Sequence, residues 1–387
     1  MKLINNAIVF QADLPALELV AQHLAEIPFE PVGPVFRSRA GFIANAVTGE
    51  LVTPIEGGFS FTVRLDEKIL PAAAVRRAVH DALTEHAKAE EVATNDLDPD
   101  TIGRIEEETM TNLIANALIK TTVVNCFYSA EHNFLIIPTT GKPLAQTVVA
   151  LLIKAIGSVK TSTIHVSDIK GGLTTRLRNF LDGNEQAFDG FELGDTCNMK
   201  HDSDKVNFSM GDLKSAREGL IEALKGKMQV ELMELTHKGV SFKLTNDFKL
   251  RGIHFHGELT EDEQAQREDA DDAFMWRLEA ATQLLQLVDT IIALCALFSY
   301  QRPEMVEAVI PAKDADAVPD DSGEEDALYA EAVAFVRESG RASISAIQRK
   351  LKLGYNRAAR MIERMELDGV VTPMNTNGSR EVIAEKF

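Results

Sequence analysis

"LGYNRAARMIERMELDGVV", residues 353–371, decides how the C-terminal part of the chain is read. Ala359, Ile362 and Met365 recur at helical spacing, and Arg357, Arg360 and Arg364 fall on the opposite face. The spacing predicts one helix from Tyr355 to Asp368, stopped by Gly369. Upstream, "LYAEAVAFVRES" predicts a helix with Leu328, Ala332, Phe335 and Val336 turned inward. "SAIQRKLKL" predicts a second, whose start Ser345-x-x-Gln348 fits a capping box. Downstream, "VVTPMNTNGSREVI" predicts a hairpin with Asn377-Gly378 at its tip. Helix, helix, short turn, helix and hairpin make a winged helix-turn-helix, an arrangement suited to a DNA groove.

The side chains on that module fit the same chemistry. Asn356, Arg357 and Arg360 occupy the first turns of its third helix, where base edges are reached, and Arg364 extends their face. Asn can pair with adenine and Arg with guanine, each through two bonds. Lys350 and Lys352 precede the turn and suit backbone phosphates. Asn377 and Arg380, on the predicted wing, suit phosphates or the minor groove. The alternative is a solvated basic face on a protein-binding module.

The charge of the whole chain runs against this reading. Its 387 residues carry a formal charge of -19. The distribution is uneven. Residues 327–387 hold ten Lys/Arg against seven Asp/Glu, residues 301–326 two against nine, and residues 1–300 28 against 43. A basic tail is thus joined to an acidic body by an acidic, proline-containing stretch, "RPEMVEAVIPAKDADAVPDDSGEED", which reads as an extended linker. The predicted division is a body over 1–300, a linker over 301–326 and a tail domain over 327–387. Net charge argues against nonspecific nucleic-acid binding but leaves room for a basic surface confined to one face or channel.

The body mixes strands and helices. "NAIVF", "FSFTVRL", "TVVNCFYS" and "NFLIIPT" predict strands, and "QVELMELTHKGVSFKLTNDFKLRGIHFHG" three more, with turns at Lys238-Gly239 and Asn246-Asp247. "LPALELVAQHLAEI", "AAAVRRAVHDALTEHAKAEEVA", "ETMTNLIANALIK", "PLAQTVVALLIKAIG" and "DLKSAREGLIEALKGK" predict helices, the fourth ending at Gly157. A long helix is predicted over 261–300. The class is α+β with antiparallel sheets. Cys126, Cys197 and Cys295 lie too far apart for a zinc knuckle or redox pair, which fits a reducing cytoplasm. The N-terminus has no signal-peptide pattern. The apolar run 284–298, 15 residues with Asp289 inside, is shorter than a bilayer span and reads as a core or dimer helix, so no membrane is expected.

Two resemblances sharpen the reading. "ASISAIQRKLKLGYNRAARMIERMELDGVVTPMNTNGSREVI" resembles the C-terminal gamma domain of the FtsK DNA translocase, over nearly all of 327–387. That family's gamma domain reads short, G-rich polar sequences that orient the motor. The motor itself is missing. Gly141-Lys142 and Gly226-Lys227 are preceded five residues earlier by Ile136 and Ile221 and followed by Pro143 and Met228, so neither forms a Walker A motif. "FTVRLDEKILPAAAVRRAV", residues 61–79, resembles the recombination-associated RdgC family, whose order of elements agrees over roughly 1–300. The resemblance implies a homodimeric ring around duplex DNA, with a basic channel inside an acidic exterior, limiting the access of a RecA-type recombinase. It further implies a nucleoid-associated cytoplasmic protein. Lys68, in the matching block, and Arg76, Arg77, Lys120, Lys205, Lys225 and Lys227 are the candidate channel residues. At the family's gate-like segment this chain has Asn116 and Leu118 in place of a basic residue and a Phe, leaving Leu118 as an apolar interface plug.

No catalytic pattern, metal site or cofactor is expected. "NDLDPDTIGRIEEE" sets Asp96, Asp98 and Asp100 at alternate positions with Glu107 further on. Thr101 stands where a calcium loop needs Gly, so the stretch reads as a solvated acidic loop. His254 and His256 in "IHFHG" lack a third ligand. The rival functions are a metal-dependent exonuclease targeted by the tail and a protein-binding recombination adaptor.

Overall fold

A computed structural model of the chain describes residues 2–157, 161–163, 169–201, 204–209, 213–256, 271–299, 328–340, 342–351, 353, 355–372, 380 and 382–383. In chain order the elements are β1 (Asn6–Ala12), α1 (Leu17–Leu24), β2 (Ser38–Ile43), β3 (Val52–Ile55), β4 (Gly58–Lys68), α2 (Ala72–Ala89), α3 (Pro99–Asn116), β5 (Ile119–Ser129), β6 (Phe134–Ile137) and α4 (Lys142–Ile156). There follow β7 (Thr161–Thr163), α5 (Ile169–Leu181), β8 (Glu192–His201), β9 (Asp204–Ser209), α6 (Leu213–Lys225), β10 (Gln229–His237), β11 (Val240–Thr245), β12 (Leu250–Phe255) and α7 (Asp272–Leu297). The tail contributes α8 (Tyr329–Ser339), α9 (Ile344–Leu351) and α10 (Tyr355–Leu367). The strand order is β2-β4-β5-β6-β1-β12-β11-β10-β8-β9, with β3 on β4 and β7 on β1. The α+β class with antiparallel pairing is as the sequence predicts.

The chain divides into two compact units, one of residues 1–28, 42–63 and 124–309, the other of 29–41, 64–123 and 310–387. The first is organised by α7, which fills its core with Trp276, Ala280, Leu284, Leu287, Ile291 and Leu294, all essentially sealed from solvent. Trp276 stacks on Phe127 of β5, ring centroids 6.3 Å apart. At 26 residues α7 is longer than the 15-residue apolar run, and long and apolar enough to cross a membrane; half of its most apolar window is buried inside the fold. Length therefore does not decide its role, and packing into the core does. Gln283 on the same helix is buried, and its Oε1 accepts from the amides of Leu3 (3.1 Å) and Ile4 (2.9 Å), fixing the chain's start beside β1.

Local chemistry explains most turns and ends. Lys238 (φ 42°) and Gly239 (φ 81°) both adopt positive φ, as a two-residue hairpin between β10 and β11 requires. A Cβ on Gly239 would also meet the carbonyl oxygen of His256 at 2.8 Å. Gly157 (φ 85°) ends α4 where the sequence places its cap.

Three boundaries differ from the sequence reading. The acidic stretch at 96–107 is largely not a loop, because α3 begins at Pro99. Asp98 accepts from the amides of Asp100 and Thr101, and proline suits the first helical position. The helix predicted through "ALIK" stops at Asn116, and the β-branched run after Leu118 continues as β5. The cap of α9 is Ser343, whose Oγ accepts from Ala346 N at 3.1 Å, and not Ser345. Four elements, α5, α6, β8 and β9, fill residues 169–225, and of these the sequence reading had only α6.

In the second unit the block Asp66–Pro71 is a junction. Asp66 is buried and accepts from Arg64 Nε (3.0 Å), Arg64 Nη2 (2.9 Å) and Thr121 Oγ1 (2.8 Å), tying β4 to β5. Lys68 Nζ donates to the carbonyls of Ile114 (2.6 Å) and Pro34 (3.3 Å). The first of these lies in the last turn of α3, where a cation complements the helix dipole. The tail has its own core of Ala332, Val336, Ile344, Ile347, Ala358, Ala359, Met361, Ile362, Met365, Val370 and Val371, with Phe36 packed against it. Gly369 (φ 70°) turns the chain out of α10. Of the predicted hairpin, the described part is one antiparallel bridge between Val371 and Val382; its tip and the linker 301–326 lie outside the described residues.

Two measurements check this packing. Gln283→Leu strands two backbone amides in or beside the core and is expected to lower the unfolding free energy by roughly 1–3 kcal/mol in denaturant titrations, with the slope unchanged. Asp289 on α7 pairs with Lys238 Nζ (2.9 Å) and His237 Nε2 (3.2 Å), and these partners, Lys238 foremost, hold its carboxyl below the usual range. Its stabilisation is present above the unfolded carboxylate pKa of about 4 and is lost as pH falls through the lower folded value. Asp289→Asn should therefore lower stability at neutral pH and flatten the loss of stability below about pH 4.

Candidate nucleic-acid interface

The basic residues singled out on the tail are not equally placed. On α10 the side chain of Arg364 is exposed, and its Nε donates to Asp368 Oδ2 at 3.1 Å. Asp368 also accepts from the Tyr329 hydroxyl (2.7 Å), and these donors hold its carboxyl low. Arg357 and Arg360 are half-buried on the same side of the helix, away from Ala359 and Ile362. Lys350, on α9, is exposed with its ammonium 5.8 Å from the Phe335 ring. Asn356 lies in the first turn of α10; its side chain, like Lys352 and Asn377, falls outside the described residues. Arg380 Nε pairs with Glu366 Oε2 at 3.0 Å and its side chain is only 7% exposed, so it ties this stretch of chain to α10.

Arg360 belongs to a charged cluster that includes Glu363. Burial pushes the Glu363 carboxyl up, against the pull of Arg380, Arg39 and Arg360. Arg39 stands over the Phe36 ring at 5.5 Å and also pairs with Glu30. Glu107 of α3 reaches the same module. Its Oε1 accepts from Ile344 N, the first amide of α9, at 2.6 Å.

The body candidates fall into both units. In one, Arg76 and Arg77 are exposed on α2, Arg77 3.7 Å from Asp81, and Lys120 is exposed on β5. Lys68 is half-buried in the same unit, and desolvation lowers its pKa. In the other, Lys205, Lys225 and Lys227 are exposed on β9, at the end of α6 and just beyond it. Leu118, between α3 and β5, is 78% exposed, the most exposed of the body's large apolar side chains among the described residues. It is flanked by the exposed Ile69 and Ile119 and by a groove of about 420 Å³ lined by Leu70, Val75, Leu113 and Asn116. Asn116 Nδ2 donates to Asn112 O, an intrahelical bond.

The residues weighed for other chemistry have structural partners. His254 Nδ1 lies 2.7 Å from Gly252 O, and His256 Nε2 2.8 Å from Ser241 Oγ. Among the described residues, no three His, Cys, Asp or Glu side chains come together as a metal site. Burial pushes the thiols up, Cys197 and Cys295 to about 12 and Cys126 further still. Sequence reasoning missed Asp66, Phe36 and the partner of Glu107. Only the alternation of β4, which sets Asp66 apart from its apolar neighbours, carried any signal.

Comparison with known proteins agrees with both resemblances. The FtsK gamma domain model matches residues 323–385, and the family model described as "Putative exonuclease, RdgC" matches residues 3–298. The DNA translocase FtsK of Pseudomonas putida is 80% identical over 64 residues, 16% of this chain and 8% of that protein. The FtsK of Pseudomonas aeruginosa is 78% identical over the same length. The chain thus spans less than a tenth of the FtsK proteins it matches. The recombination-associated protein RdgC of Neisseria meningitidis serogroup A is 26% identical over 298 residues, 74% of this chain and 93% of that protein. With a match running through nearly the whole body, the chain belongs to the RdgC family and carries an FtsK gamma domain at its C-terminal end.

Proposed function

We propose that this chain is a non-enzymatic DNA-binding protein that modulates homologous recombination. In this reading the RdgC body encircles duplex DNA as a homodimer and limits the access of a RecA-type recombinase. The gamma domain, as a winged helix, adds sequence-preferring contacts. The observation that carries it is the joining, in one chain, of an RdgC body to a gamma domain whose third helix bears Arg357, Arg360 and Arg364 on one side. Duplex DNA is the partner, and the protein works at the nucleoid in the cytoplasm.

Exposed apolar surface supports self-association. Leu118, Ile69 and Ile119 crowd one end of the second unit, and Phe274, Leu278, Leu285 and Ile292 are exposed along α7 of the first. Contiguous apolar surface of this kind is characteristic of interfaces. The channel would draw on Arg76, Arg77, Lys120, Lys205, Lys225 and Lys227. Lys68 contributes by holding the end of α3, since its ammonium already serves two carbonyls.

Binding to duplex of any sequence by the full chain should fall steeply with salt as phosphate contacts displace counterions. Light scattering should give twice the 42.5 kDa chain mass. A monomer whose retention of random duplex ignores salt refutes the ring, and shortening of a labelled duplex with Mg²⁺ refutes the non-enzymatic reading. On a G-rich polar duplex, Arg357→Ala and Arg360→Ala should each lose about 1–3 kcal/mol relative to random duplex. If both variants keep the wild-type ratio of preferred to random binding, α10 is not the reader, and the protein-binding adaptor becomes the better account.

A further inference from the structure

The gamma domain has a second set of contacts that DNA reading does not use. It is held by two segments of its own unit, α3 and residues 29–41. Phe36 packs on the domain's core, and Arg39, stacked over Phe36, lies near enough to pull on Glu363 of α10. The Glu107 carboxylate takes the amide of Ile344 at the N-terminus of α9. Ser343 Oγ takes the amide of Ala346, so this helix start is capped from both sides, once by its own chain neighbour and once across 237 positions of sequence.

That end of the helix has another natural occupant. The helix before the reading helix crosses the DNA backbone in helix-turn-helix modules. Backbone amides at a helix N-terminus, together with the dipole, favour a phosphate there. A carboxylate on an acidic helix presents the same charge to the same donor. Residues 96–108 contain six acids and one base, whereas residues 327–387 carry three more bases than acids. Charge, position and donor all match what a phosphate would meet.

We propose that α3 acts as an internal competitor for DNA, with Glu107 standing in the place of a backbone phosphate and holding the gamma domain in a docked state. The contact is built to come apart. A cavity of about 470 Å³ lies beside α3, lined by Arg104, Glu107, Ser343, Ile344 and Arg380, so α3 is not closely packed on the domain there. The charge-assisted bond from Ile344 to Glu107 supplies α3's share of the hold, and duplex DNA, with many phosphates, replaces it. The acidic body thereby keeps its reading domain occupied until a sequence worth binding is met.

This inference rests on the gamma domain's reading DNA, and the test separates the two. The full chain and its Glu107→Gln and Glu107→Ala variants are compared by hydrogen exchange over residues 342–350 and by anisotropy with labelled preferred and random duplexes. Taking the ratio of the two duplexes removes any contribution from the body. Both variants should speed exchange at Ile344 and raise the preferred-to-random ratio, by on the order of tenfold if about 90% of the wild type is docked. Preferred duplex added to the wild type should speed exchange in residues 99–116. Arg360→Ala, combined with Glu107→Gln, should remove the gain. If exchange and ratio match the wild type in both Glu107 variants while Arg360→Ala alone still lowers the ratio, there is no latch and the domain reads DNA undocked. If the Glu107 variants speed exchange but neither they nor Arg360→Ala moves the ratio, docking is real but DNA is not the competitor, and both the inference and the DNA-reading function fall.

Discussion

The burial of one face of α7 is the constraint on which the first unit depends. Trp276, Leu284, Leu287, Ile291 and Leu294 stand at helical spacing and are all sealed from water. Each such side chain contributes roughly 1.5–3 kcal/mol when fully buried. The same core takes residues from β1, β5, β10, β11 and β12, so strands distant in sequence are brought together by one helix. Gln283 shows how closely this is specified. A polar side chain at a core position is tolerable because the amides of Leu3 and Ile4 give it partners, and those partners in turn seat β1. The opposite face of α7 is left apolar and exposed at Phe274, Leu278, Leu285 and Ile292.

The block that most strongly suggests the family, residues 66–71, has a structural job that its charges do not advertise. Asp66 joins β4 to β5 through Arg64 and Thr121, and Lys68 holds the last turn of α3. Both are charged residues whose charge is spent inside the fold. A lysine in a recognisable motif need not be the lysine that meets the ligand; here it fixes the element on which Leu118 is displayed. Exposed cations such as Arg76 and Lys120 are freer to meet phosphate.

The excess of acid over base, which makes DNA binding look unfavourable, becomes intelligible when the tail and its unit are considered together. Glu107 on α3 is placed at the N-terminus of a helix in the basic domain, where negative charge is stabilised rather than repelled. Arg380 and Glu366 neutralise each other within the domain, and Arg364 is shared with Asp368. Part of the tail's positive charge is therefore matched within the chain. In the proposed reading, DNA binding by such a domain is an exchange of partners, which favours selectivity over raw affinity.

The sequence by itself determined the α+β class, most of the helices, the three tail helices and both family resemblances, but not α5, β8 or β9. Periodicity, Gly157, Lys238-Gly239 and the "GYNRAARMIE" stretch are local signals, and local signals survive without neighbours. It misplaced the start of α3 because six acids suggest a solvated loop, although Asp98-Pro99 is itself a start signal. It took Ser345 for the cap of α9 because the capping-box spacing tolerates a two-residue slip that only backbone dihedrals resolve. What only the tertiary structure decided is which charges are spent. Lys68 and Glu107 look alike in sequence to Lys120 and Glu106, and differ because partners 34 to 237 positions away fold back to meet them. A charge's role is set by its desolvation and by its nearest opposite pole, and neither is written in the spacing of the residues beside it.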